Sequence, residues 1–181
     1  MDWLPNVDGV LYFVREILPL IRRSRPETTL AIVGRTPPPN ISQLAAQDPR
    51  IQVTGTVPDI RPYLWGSAVS IVPLRIGGGT RLKIYEAMAA RIPVVSTSIG
   101  AEGLSVNPPT DIRLADTPEH FASHCVELLA SPDARARLSQ AAWQMVNAHF
   151  SWEQVARCFE TVMLGQASLP VPSERGSRDP R

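Results

Sequence analysis

The residues best able to do chemistry sit in one stretch, Pro73-Leu74-Arg75-Ile76-Gly77-Gly78-Gly79-Thr80-Arg81-Leu82-Lys83-Ile84-Tyr85-Glu86-Ala87-Met88-Ala89. An apolar run leads into three glycines and then into a helical pattern. Glycines let the backbone approach a ligand without side-chain obstruction, and the unpaired N–H groups of a first helical turn attract anions. The Thr80 hydroxyl is placed to cap that helix. On a helical wheel Gly79, Lys83 and Glu86 share a face, being four and three residues apart. A lysine there neutralises a pyrophosphate, and a carboxylate one turn further on can accept both hydrogen bonds of a ribose diol. The same spacing is equally that of a solvated Lys83–Glu86 pair closing a glycine loop. Ile84, Ala87 and Met88 form a different stripe, expected to pack on a sheet. Neither a GxGxxG dinucleotide fingerprint nor a GxxxxGKS/T P-loop occurs. Spacing alone therefore reaches a phosphate-binding α/β domain.

The flanking elements must position that segment. Val10, Leu11, Val14, Ile17, Leu18 and Ile21 recur at helical spacing, predicting a helix over 7–22 with Asn6 or Asp8 as its cap. Short apolar strands are expected at 29–34, 51–55, 68–74, 93–97 and 112–115, with helices at 41–47, 60–65 and from the glycine turn to about Ala90. From Thr117 to the neighbourhood of Leu164 the pattern is almost wholly helical. Strands alternating with helices imply parallel βαβ units, so the expected architecture is a single Rossmann-like, doubly wound α/β layer sandwich. Ligands in such sheets sit beyond the carboxyl ends of the strands, here the loops after Val33, Thr54, Leu74 and Thr97. The expected domain spans 1–165, and the Pro, Ser, Arg and Gly composition of 166–181 predicts a disordered tail.

Composition narrows the function. The 181 residues are 44% hydrophobic and 19% charged with a net charge of +1, which fits one soluble globular domain with no long-range field to gather nucleic acid or anionic lipid. Arg135, Arg137 and Arg157 lack interleaved aromatics, so no nucleic-acid partner is expected. No stretch reaches the ~18 apolar residues of a membrane helix, and no basic leader precedes an apolar run. Cys125 and Cys158 lack the spacing of a metal pair or redox motif and are expected as buried free thiols. His120 and His124 are four apart, but no Glu or Cys completes a ligand set, and His149 stands apart; no metal is expected. Trp3, Trp65, Trp143 and Trp152 are dispersed and are expected as packing anchors.

Taken together, Met1–Gly9, Leu30–Gly34, Val53–Asp59, the 77–89 segment, Pro93–Thr97 and Gly100–Leu104 resemble, in order and spacing, one domain of a known family. This is the C-terminal, donor-binding domain of the retaining family-4 glycosyltransferases of the GT-B fold. The resemblance implies an enzyme that transfers a glycosyl unit from an NDP-sugar to an acceptor glycan or lipid-linked sugar in glycan or exopolysaccharide synthesis. With no leader and no membrane-length apolar run in the sequence, the expected location is cytoplasmic, free or held peripherally at the inner membrane, and no metal cofactor is expected. Glu86 falls on the second acid of the family's E-x7-E pattern and would bind the ribose, whereas Gly78 stands where the first acid is expected. Arg81, Lys83 and the N–H groups of Gly79 and Thr80 would hold the diphosphate, and the loop through Gly55, Thr56 and Val57 would lie near the base. The acceptor-binding N-terminal domain of the family has no counterpart in the sequence. The expectation is therefore a severed donor half, with a non-catalytic nucleotide-sugar-binding or assembly module as the alternative.

Overall fold

A computed structural model describes residues 3–77, 81–150 and 161. Residues 1–147 form one compact unit and 148–181 a second, and the account below concerns the first. The expectations for Gly78, Gly79, Thr80, Trp152, Cys158, the helical pattern beyond Phe150 and the tail lie outside the described residues.

The chain opens with helix α1 (Leu4–Tyr12), passes through a π-helical turn (Phe13–Ile17) and continues as α2 (Leu18–Ser24). The cap is neither Asn6 nor Asp8 but Trp3, with Pro5 in the first turn, where its missing N–H has no partner to lose. The π-turn inserts an extra residue and shifts the buried face. Tyr12, Phe13, Ile17, Leu18 and Ile21 are consequently buried, while Val10, Leu11 and Val14 pack only partway against the core.

Strands β1 (Leu30–Val33) and β2 (Ile51–Gly55) flank α3 (Pro39–Gln47) and pair in parallel, Leu30 opposite Ile51 and Ile32 opposite Val53. A second parallel sheet has the order β3 (Ser70–Val72), β4 (Val94–Ser96), β5 (Arg113–Leu114). Ser70 stands opposite Val94, and Val95 opposite Arg113. Helix α4 (Arg61–Trp65) precedes β3, α5 (Leu82–Ala89) crosses from β3 to β4, and α6 (Pro118–Ala130) and α7 (Pro132–Phe150) follow β5. Helix α3 begins two residues earlier than its apolar pattern suggests, because Pro39 suits a first helical turn.

The sheet is covered on both faces, as a doubly wound fold requires. Neighbours Val94 and Val95 are both fully buried but belong to opposite cores. Val95 packs with α2, α6 and the π-turn through Ile21, Phe121 and Ile17, the Phe13 and Phe121 rings meeting edge-on at 6.1 Å. Val94 packs with Ile84, Ala87 and Met88 of α5 and with Ala142 and Val146 of α7. The predicted sheet-facing stripe of α5 is thus its buried face. The helix ends where Arg91 takes a left-handed φ of 59° and the Ile92 N–H donates to the Ala87 carbonyl.

Candidate functional site

The carboxyl ends of β3 and β4 and the start of α5 meet at one edge of the fold. Leu74, just beyond β3, is buried, and the chain then emerges through Arg75, Ile76 and Gly77. The loop after β4 is fastened to β3 by buried hydroxyls. Ser96 Oγ donates to the Val72 carbonyl at 3.2 Å, Thr97 Oγ1 donates to the Leu74 carbonyl, and Gly100 N donates to Thr97 Oγ1 at 2.9 Å. A Cβ on Gly100 would stand 2.8 Å from the Val72 carbonyl oxygen, so only glycine fits there.

Helix α5 starts at Leu82, with Arg81 in the cap position and, among the described residues, no side-chain cap hydrogen bond. Arg81 is buried although it carries a full charge, and its Nη2 lies 3.7 Å from the exposed Glu102 carboxylate. Gly77 makes this approach possible, since a Cβ there would sit 3.2 Å from both Arg81 Nη2 and Glu102 Oε2. Lys83 keeps solvent exposure, yet enough protein crowds its ammonium that desolvation, and then the charge of Arg81, hold its pKa below the ordinary lysine value; Glu86 opposes the shift. The hydrogen bond from Lys83 Nζ goes to Asn6 Oδ1 at 2.8 Å. Glu86 is exposed one turn along α5.

Three residues at this edge carry no signal in the sequence motif. Asp8 of α1 accepts from Arg75 Nε at 3.1 Å and Nη2 at 2.6 Å, across 67 residues of chain. The Arg75 guanidinium lies 4.4 Å over the Tyr12 ring, and Gly9 packs where a Cβ would meet the Pro73 carbonyl oxygen at 3.0 Å. The first turns of α1 are therefore locked to the loop that precedes the glycines. A second tether holds the far end of the edge, where Ser105 N donates to the Tyr85 hydroxyl at 3.2 Å.

The structure thus brings Arg81, Lys83 and Glu86 onto the start of α5. Val57 is half-buried on the separate loop after β2, where Gly55 has φ 68° and open space around its α-carbon. Trp3 and Trp65 are not packing anchors, being 49% and 63% exposed, because each lies at an end of a helix too short or too peripheral to bury it. Trp143 does pack, beneath the Arg91 guanidinium at 4.1 Å. His124 Nδ1 lies 3.8 Å from Glu127, and His120 contributes its backbone N–H to the Thr117 cap of α6. Among the described residues no group of three or more His, Cys, Asp or Glu could share a metal ion, and no helix is long and apolar enough to cross a membrane.

Residues 2–131 match the family described as glycosyl transferases group 1. A 44.6 kDa protein of the cps region of Klebsiella pneumoniae is 23% identical over 158 residues, covering 83% of this chain and 40% of that protein. The chain therefore spans well under half the length of that relative. The C-terminal domain of a group 1 family glycosyl transferase, LpcC, from Francisella tularensis superposes with a TM-score of 0.68 at 19% identity, covering 81% of each chain. A point mutant of TarM from S. aureus, solved in complex with UDP, fondaparinux and α-GlcNAc-glycerol, superposes with a TM-score of 0.73 at 15% identity, covering 90% of this chain and 33% of that one.

Proposed function

Since the chain belongs to the group 1 glycosyltransferases, we propose that it supplies the donor-binding half of a retaining, family-4 enzyme and holds an NDP-sugar at the start of α5. The observation that carries this reading is the meeting of Arg81 and Lys83 at the start of α5, with Glu86 exposed one turn on. The positive end of the helix dipole and two cations suit a diphosphate. The Glu86 carboxylate then suits the ribose diol, and the loop carrying Val57 the base. Gly78, Gly79 and Thr80 complete the phosphate cradle in this reading, and Gly78, in place of an acid, leaves the donor sugar without a carboxylate from that position.

In the reaction the bond between the anomeric carbon and the β-phosphate oxygen breaks as the acceptor hydroxyl bonds to the same face of the sugar and passes its proton to the departing diphosphate. Negative charge grows on the departing NDP, and Arg81 and Lys83 are placed to stabilise it without a metal ion. The acceptor, a glycan or lipid-linked sugar of exopolysaccharide synthesis, belongs to an N-terminal acceptor domain that docks on this one. The whole protein works in the cytoplasm or at the inner face of the membrane. Support for the polysaccharide role comes from the relative in a cps region.

Calorimetric titration with UDP-, GDP- and ADP-sugars, their diphosphates and the free nucleosides tests the donor site. Lys83→Ala should weaken the diphosphates by about 1.5–3 kcal/mol, the range for a hydrogen bond to a charged group, and leave the nucleosides nearly unchanged. Equal loss for both ligands, or no binding of any nucleotide, would refute the assignment.

A further inference from the structure

We infer that Asn6 is a positioning residue for Lys83, its neutral amide oxygen aiming the ammonium across the start of α5 without cancelling its charge. The inference rests on the donor-site reading above. The two cations at this edge are held differently. Arg81 faces a carboxylate, Glu102, at 3.7 Å, whereas Lys83 donates to an uncharged oxygen at 2.8 Å. An acid does stand nearby in the same helix, but Asp8 is committed to Arg75. Asn6 takes one of the three N–H groups of the ammonium, and phosphate oxygens suit the others.

Asn6 can aim the lysine only if it is itself fixed. The bidentate Asp8–Arg75 pair and the close seat of Gly9 on the Pro73 carbonyl tie α1 to the loop entering the glycines. A side chain on the first turns of α1 therefore has a set position relative to that loop. Lys83 is already crowded, with desolvation and Arg81 both working against its charge. A neutral acceptor supports the charged form while leaving its field for a ligand, whereas a carboxylate at the same place would spend that field internally.

The test compares Asn6→Asp, Asn6→Ala, Asn6→Gln and Lys83→Ala in the full chain. Probes are inorganic pyrophosphate and the tightest-binding of UDP, GDP and ADP, with its nucleoside as control. Asn6→Asp should weaken both phosphate probes about ten-fold, approaching Lys83→Ala, because it sets a carboxylate on the ammonium. Asn6→Ala should lose only about three-fold, as one neutral acceptor is removed. The nucleoside should bind all variants alike. A ligand-free readout is the Lys83 titration by NMR, in which Asn6→Asp should raise the pKa above that of the parent. If Asn6→Asp does not fold, Asn6→Gln decides, and should recover affinity relative to Asn6→Ala. Parent-like binding by both Asn6→Asp and Asn6→Ala, with Lys83→Ala still diphosphate-selective, would overturn the role of Asn6 alone. A Lys83→Ala variant that binds pyrophosphate like the parent, or a parent chain that binds no probe, would overturn the donor-site reading with it.

Discussion

Arg81 is 6% exposed while Glu102, whose carboxylate lies 3.7 Å from its guanidinium, is 73% exposed. A buried cation is thus answered by an acid that stays largely in water. Such a pair contributes little to stability, because solvent screens the exposed partner, but it does oppose a second anion competing for Arg81. On the donor-site reading proposed above, Glu102 accordingly sits where it would weaken the attraction of the α5 start for phosphate.

Removing that competition gives the first prediction. Glu102→Gln should tighten pyrophosphate and nucleoside diphosphate binding by a few-fold, within the roughly 1 kcal/mol range of exposed ion pairs, and should leave nucleoside binding unchanged. Calorimetry at two ionic strengths checks it: the gain should shrink in high salt. Weaker diphosphate binding in the variant would mean that Glu102 orients Arg81 instead of competing with the ligand.

Two glycines near this edge should respond to a methyl group to different degrees. At Gly100 a Cβ meets both backbone, the Val72 carbonyl oxygen at 2.8 Å, and the pair of tethering hydroxyls, Ser96 Oγ and Thr97 Oγ1. Neither can retreat without opening the tie between β3 and β4, so Gly100→Ala should cost about 2–3 kcal/mol in urea unfolding, the upper part of the range for overpacking. At Gly77 the same Cβ meets the Arg81 and Glu102 side-chain ends and Ile99 Cγ2 at 3.2–3.3 Å. These can yield by rotation, and Gly77→Ala should cost less than about 1 kcal/mol. Equal losses would show that the loop at Gly77 is as rigid as the one at Gly100.

The contrast between these glycines also marks what was legible in the sequence. Alternating apolar runs and helical spacing located the five strands found among the described residues and the sheet-facing stripe of α5, because burial writes a period into the chain: Ile84, Ala87 and Met88 are each fully buried. The first helix was legible with most of its core face, since Ile17, Leu18 and Ile21 are buried and Val10, Leu11 and Val14 pack against the same core, but the burial of Tyr12 and Phe13 was not, because the π-turn at Phe13–Ile17 breaks the period. At the site, Lys83 and Glu86 are neighbours on one helix and so visible by spacing. The Asp8–Arg75 pair joins residues 67 positions apart, and the Lys83–Asn6 bond 77, and no local pattern encodes either.

Cys125 offers a separate test of the core beneath α6. It is buried, and desolvation pushes its thiol up to about 12, so at neutral pH almost no thiolate forms. In a Cys158→Ser background, a thiol-specific reagent should label the native chain only at the rate of unfolding and label it fully in denaturant. Rapid labelling of the native chain would show that α6 opens far more readily than its packing around Phe121 and Leu128 implies.

The last prediction concerns acid. The hydrogen bond from Arg75, aided by its charge, holds the Asp8 carboxyl below its ordinary value of 3.8, while partial burial works the other way. A carboxyl whose folded pKa is depressed binds its proton more readily when unfolded. The pair therefore stabilises the fold fully above the unfolded pKa, and that contribution fades as pH falls through 3.8 toward the folded value. Asp8→Asn should accordingly cost about 0.5–1 kcal/mol near neutral pH, a modest figure because Arg75 is 47% exposed and its charge is screened. The gap between parent and variant should then close as pH drops below the ordinary carboxylate range. Asp48, paired with Arg22, and Asp59, paired with Arg61, are depressed in the same way, so the parent loses stability in acid for other reasons as well. The informative quantity is the difference between the two chains, measured by urea unfolding from about pH 7 to about pH 3, across the ordinary carboxylate pKa. A difference that stays constant over that range would mean that Asp8 acts by packing α1 against the loop and not through its charge on Arg75.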